Sequence, residues 1–78
     1  MRVKLSGVRQ IAIIGEYISL AALLKFAAVA STGGEAKHLI LSGDVFVCGI
    51  VCTQRGKKIR PGDLVRCGDD ILLVKRAT

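Results

Sequence analysis

The chain has 78 residues, twelve Lys/Arg against six Asp/Glu for a net charge of +6, and a half-apolar composition with only three aromatic residues, Tyr17, Phe26 and Phe46. A chain this short makes one domain and buries only about 60 to 65% of its unfolded surface, which excludes a deep substrate pocket inside a core built of Leu, Ile, Val and Ala. The basic balance favours a polyanionic partner, nucleic acid or an anionic membrane surface, and charge alone does not choose between them.

Arg2, Lys4 and Arg9 precede a mostly apolar run, Ile11 to Ala30, that ends in Ala-Val-Ala and imitates a secretory signal. Glu16 and Lys25 interrupt it, and a charge in mid-bilayer costs about 2.5 to 3.5 kcal/mol. The expectation is therefore a cytoplasmic domain with no spanning helix. Val8 to Ile14 is β-branched and flanked by glycines, which reads as a short strand, although periodicity does not cleanly separate it from helix. Ser19 then has the character of an N-cap. After it Leu20, Leu23, Leu24 and Ala27 form one apolar helical stripe, with Lys25 off the stripe facing water and the helix fading near Ala30.

Thr32 opens a second helix, and Glu35 completes a Thr-x-x-Glu capping box in which each side chain accepts the other's backbone N–H. Ala36, Leu39 and Ile40 make its inner face, and Gly43 stands where a left-handed residue ends a helix. Beyond Gly43 the period changes to two. Val45-Phe46-Val47, a turn at Gly49 and Ile50-Val51-Cys52 read as a hairpin, Pro61-Gly62 fits the centre of a type II turn, and Leu64 to Cys67 and Ile71 to Val74 read as strands joined by Gly68-Asp69-Asp70.

Two stretches are candidates for chemistry. In Ser31-Thr-Gly-Gly-Glu-Ala-Lys-His-Leu39 the glycines precede a helix, but neither order nor spacing is that of a nucleotide P-loop. The N–H groups of Gly33 and Gly34 are positioned to meet a single phosphate, Thr32 caps them, and Lys37 and His38 follow; the alternative is a plain cap and turn. Arg55 to Arg60, Arg-Gly-Lys-Lys-Ile-Arg, places four bases in six residues with no acid. It is either a solvated loop or a phosphate-contacting one, in which Gly56 lets the chain follow a curved backbone closely.

Cys48, Cys52 and Cys67 match no zinc knuckle or redox pair and read as three reduced thiols acting as small apolar residues, the alternative being one disulfide with a spare thiol. No residues are spaced for catalysis, for a metal or for a cofactor, so none of these is expected.

Thr32 to Gly49, Thr-Gly-Gly-Glu-Ala-Lys-His-Leu-Ile-Leu-Ser-Gly-Asp-Val-Phe-Val-Cys-Gly, resembles the signature of the S-four RNA-binding domain, and Gly62-Asp63 resembles its later Gly-Asp. The resemblance spans about Ser19 to Val74, within a single domain 1–78 whose N-terminal strand is 8–14. It is strongest to free-standing bacterial proteins of the YaaA and YbcJ type, in which Ser/Thr-Gly-Gly-x-Ala-Lys and an Arg-Gly-Lys/Arg-Lys loop recur. The resemblance implies an α+β fold, the αL motif: two short packed helices against a small, mainly antiparallel sheet. It also implies a basic groove for structured RNA, ribosomal or transfer RNA, formed by the start of the second helix and a neighbouring loop. Carried over by position, Thr32 takes the place of the family's serine cap, Lys37 that of its arginine after alanine, and Arg55, Lys57 and Lys58 that of its basic loop, while Gly33 stands where many members have arginine and shifts weight onto backbone N–H groups. Gly33, Gly34, His38, Arg60 and Lys25 complete the candidate RNA contacts as neighbouring donors and charges of this chain. Cys48 replaces the family's asparagine, which would put a less tolerant residue at positive φ in a type I′ turn.

Two functions compete. The first is a monomeric, non-catalytic RNA-binding protein of the ribosome or of translation, reading shape more than unstacked bases because aromatics are few. The second is a protein-interaction adaptor, since the C-terminal half also resembles β-grasp sulfur carriers; the chain ends Arg76-Ala77-Thr78 rather than in the Gly-Gly such carriers need.

Overall fold

The computed structural model describes residues 8–77, and Arg2 and Lys4 lie outside them. In chain order the elements are β1 (Val8–Ile13), β2 (Ile18–Ser19), α1 (Leu20–Phe26), α2 (Gly33–Leu41), β3 (Val45–Val47), β4 (Ile50–Val51), β5 (Lys58–Ile59), β6 (Leu64–Cys67) and β7 (Asp70–Arg76). Five strands form one sheet in the order β1-β7-β6-β3-β4, antiparallel except where β1 runs parallel to β7, and β2 pairs with β5 in a separate two-residue ladder. The α+β class and the mainly antiparallel sheet agree with the sequence reading. No helix among the described residues is long and apolar enough to cross a membrane. The signal-like run is divided among β1, β2 and α1.

Alternation along the strands places Val45, Val47, Val65, Cys67, Leu72 and Val74 on one sheet face. These residues form a single buried cluster with Leu20, Leu23, Leu24 and Ala27 of the first helical stripe, with Ala36 and Ile40 of the second, and with Ile59. Burial of this apolar surface is the main stabilising term, at about 25 cal/mol per Å2. No polar or charged side chain is buried among the described residues, so the core has no polar group to satisfy. Cys67 belongs to this core. Burial pushes its thiol pKa up, and Asp44 and Asp70 add to the effect, so it stays protonated. Cys48 is exposed at a hairpin tip instead, which corrects the expectation that all three thiols act as small apolar residues.

The turns follow from local chemistry. Cys48 and Gly49 both have positive φ (51° and 85°), as a type I′ hairpin requires, so the cysteine does adopt the conformation in which asparagine would be easier. Gly62 has φ 99°, and the Asp63 N–H donates to the Arg60 carbonyl (3.0 Å), giving the type II turn at Pro61-Gly62.

Three boundaries differ from the sequence reading. β1 stops at Ile13, leaving Ile14 91% exposed. β7 is longer than expected because parallel pairing with β1 continues to Arg76. α1 ends at Phe26 rather than near Ala30. The Ala28 N–H donates to the Lys25 carbonyl and the Val29 N–H to that of Leu24, the Schellman pattern, with Ala28 itself at φ 61°.

α2 closes in the same way through Gly43 at φ 81°, where glycine bears no steric penalty. Ala28 does bear it. Ala28→Gly is expected to raise unfolding stability by about 1 kcal/mol and the melting temperature by about 4 to 8 °C, measured by urea and thermal denaturation. An unchanged or lowered stability would contradict this account of the turn.

Candidate nucleic-acid interface

The basic loop is anchored through its backbone. The Lys57 N–H donates to the Gln54 carbonyl (3.1 Å), closing a turn with Arg55 and Gly56 at its centre. The carbonyls of Lys57 and Arg55 then accept the Leu20 N–H (2.9 Å) and the Ala21 N–H (3.1 Å), two of the donors that the start of α1 leaves without helical partners. Ser19 Oγ accepts a third, from Ala22 (3.3 Å). The β2–β5 ladder, Ile18 with Ile59 and Ser19 with Lys58, continues the attachment. The first turn of α1 is thus fully engaged by the chain itself, and the loop held there turns its side chains to solvent.

α2 begins differently. Thr32 Oγ1 accepts the Glu35 N–H (3.1 Å) as a capping box requires. The reciprocal bond is displaced by one residue: Glu35 Oε1 accepts the Ser31 N–H (2.5 Å) rather than that of Thr32. Glu35 is therefore turned back on the entering chain, which corrects the expected box while keeping its effect. The N–H groups of Gly33 and Gly34 have no acceptor among the described residues. These two glycines and Gly56 also differ from the other described glycines. None has positive φ, and a Cβ on Gly33 or Gly56 would meet nothing within 4 Å, while one on Gly34 would make an ordinary 3.9 Å contact with Thr32 Oγ1. Neither backbone conformation nor internal packing requires glycine at these positions.

The cations divide into two groups. Arg9 donates to the Ala27 carbonyl at the end of α1 (2.9 Å) and forms the one ion pair among the described residues, with Asp70 (3.8 Å). Lys75 donates to Gln10, and the Arg66 guanidinium lies 4.7 Å from the Phe46 ring centroid on the outer sheet face. Lys58 has its ammonium 5.1 Å from the ring centroid of Tyr17, a residue the sequence reading did not single out. Lys25, Lys37, His38, Arg55, Lys57, Arg60 and, at the end of β7, Arg76 are exposed, with no side-chain partner among the described residues.

Three of the six acids lie apart from these cations, whereas Glu35 and Asp63 lie among them. Register places Asp70 opposite Cys67, with Asp44 preceding Val45 and Asp69 in the adjoining turn, all where β6 ends. The turn from Arg60 precedes the opposite end of β6. The loop candidates are thus brought together at the start of α1. Thr32, Gly33, Gly34, Lys37 and His38 share α2 and its cap, and α1 packs against α2 between the two groups. Such an arrangement supplies dispersed positive charge and two unpaired backbone donors, the chemistry of phosphate contact.

The S4 domain family model matches residues 11–75. The chain belongs to the S4 domain family. Members of that family are generally RNA-binding, so the S-four resemblance read from Thr32 to Gly49 stands. A search of curated proteins finds no match.

The charge on Glu35 opposes an anion at the start of α2 even though its oxygen is engaged. Glu35→Gln keeps an acceptor for the Ser31 N–H and removes the charge. It is expected to tighten RNA binding about two- to fivefold at low salt and to converge with the parent at high salt, measured by titration. Unchanged affinity at low salt would place the bound phosphates away from this helix.

Proposed function

We propose that this S-four domain is a non-catalytic, monomeric cytoplasmic protein that grips the phosphate backbone of structured RNA, ribosomal or transfer RNA, in ribosome assembly or translation. The observation that carries the reading is the placement of the three glycines the fold does not need. Two lie in the first turn of α2 and one in the basic turn, next to Arg55 and Lys57. Glycine costs up to about 0.8 to 1.0 kcal/mol relative to alanine in a helix interior and brings no gain in helix propensity in the first turn, so these two are suited to a role outside the chain's own packing. A bare backbone allows close approach to a phosphate ribbon, with the Gly33 and Gly34 N–H groups as donors and Arg55, Lys57 and Lys37 as neutralising charges. The Thr-Gly-Gly-x-Ala-Lys and Arg-Gly-Lys-Lys stretches support the likeness to the YaaA and YbcJ type. The adaptor reading has no comparable observation in its favour.

Two experiments test this. In titrations of transfer RNA and of a ribosomal RNA hairpin over a range of salt, affinity is expected to fall steeply with salt. Lys57→Ala combined with Lys58→Ala should reduce the logarithmic slope by about 1 for each phosphate that the variant no longer neutralises. Absence of binding to any structured RNA at low salt would end the proposal. Separately, Gly34→Ala is expected to leave the fold as stable or stabilise it by up to about 1 kcal/mol while weakening RNA binding several-fold. A variant that is more stable and binds equally well would remove the close-approach argument.

A further inference from the structure

Beside the basic loop is a cavity of about 460 Å3, open on one side, with Val47, Ile50 and Val51 forming its apolar wall and Cys48, Lys57 and Asp63 among its polar margin. Its volume falls within the range of small-molecule sites, about 300 to 1,000 Å3. The wall is unusual for this protein, because β4 leaves Ile50 71% and Val51 49% exposed while the sheet face beneath the helices is buried.

Asp63 at the margin is half-buried and only partly engaged. Its Oδ2 accepts the Arg60 N–H (2.8 Å), whereas Oδ1 has only the weak Cys48 thiol donor at 3.8 Å. A carboxylate offers about four acceptor sites, so Asp63 retains capacity for further N–H donors. Lys57 lines the cavity and also belongs to the loop whose carbonyl is fixed by Leu20. One side chain thus links the concave surface to the proposed phosphate track.

We propose that this cavity takes one unstacked nucleobase of the bound RNA, a guanine by preference. The aliphatic wall covers a face of the base, Asp63 accepts from the adjacent N1–H and N2–H donors of its edge, and Lys57 meets the phosphate of the same nucleotide. This rests on the RNA-binding reading. Recognition of RNA sequence generally targets bases splayed out of loops and bulges, and a single such pocket adds a sequence element to a shape-reading domain. With aliphatic residues in place of an aromatic platform, the base contact is one of edge and aliphatic face rather than of stacking.

The test uses guanosine 5′-monophosphate and ribose 5-phosphate as probes in methyl and amide NMR titrations of the full chain, with alkylation of Cys48 as a second readout. Guanosine 5′-monophosphate is expected to shift the methyl signals of Val47, Ile50 and Val51 and to slow Cys48 alkylation. Ribose 5-phosphate is expected to move only amides of residues 55–58. Asp63→Asn retains an oxygen for the Arg60 N–H but presents an amide donor at the other position. It should abolish the methyl shifts while leaving the ribose 5-phosphate response and the salt slope for RNA unchanged. Identical footprints for the two probes, or base-dependent shifts undiminished in Asp63→Asn, would overturn the proposal. If methyl signals stay still while structured RNA still binds, the base pocket alone falls; if no structured RNA binds, the parent reading falls with it.

Discussion

The Leu20 and Ala21 N–H groups donate to the carbonyls of Lys57 and Arg55, and the placement of the basic loop depends on those two bonds. They answer two needs at once. A helix leaves its first N–H groups unpaired, and a surface loop has carbonyls without partners; here each satisfies the other. Fixing the loop backbone also meets in advance part of the ordering cost, about 1 to 2 kcal/mol per residue, that a flexible loop would incur on binding. The side chains of Arg55 and Lys57 remain exposed. The same contact orients the polar margin of the cavity that Lys57 shares.

Charge placement follows from what the rest of the fold consumes. Arg9, Lys75, Arg66 and Lys58 are engaged with a carbonyl, an amide or an aromatic ring, and Arg9 and Asp70 partly neutralise the sheet end where Asp44 and Asp69 also lie. The net charge is thereby concentrated where side chains have no internal partner. The shape of the core contributes as well: helices cover one sheet face, and the loop and the start of α2 are left at the margin of that layer.

What could be read from the residues was local. Ser19, Thr32 and Gly43 act as caps because a hydroxyl or a bare Cα satisfies a helix end by itself, and Pro61-Gly62 sets its own turn. The helical stripes were legible from spacing, and the family signature in Thr32 to Gly49 pointed to the candidate residues. The β2–β5 ladder was not legible, since two residues carry no period and their pairing joins positions about 40 apart in sequence. Parallel pairing of β1 with β7 is likewise non-local. Ala28 at positive φ defies the propensity rule, and only the competing hydrogen bonds of Val29 and Ala30 to Leu24 explain its acceptance. The cavity at Asp63 was hidden because its walls come from a hairpin, a loop and a turn, each ordinary alone.

The account's central claim is that RNA contacts the start of α2 and the loop held at the start of α1 as one surface. Mapping backbone amide shifts on addition of a structured RNA tests it most directly. The account predicts shifts at Gly33, Gly34, Arg55, Gly56 and Lys57, with Phe46, Arg66 and Leu73 on the outer sheet face unmoved. Shifts concentrated on that outer face, with the amides of the loop and of the first turn of α2 unchanged, would contradict it.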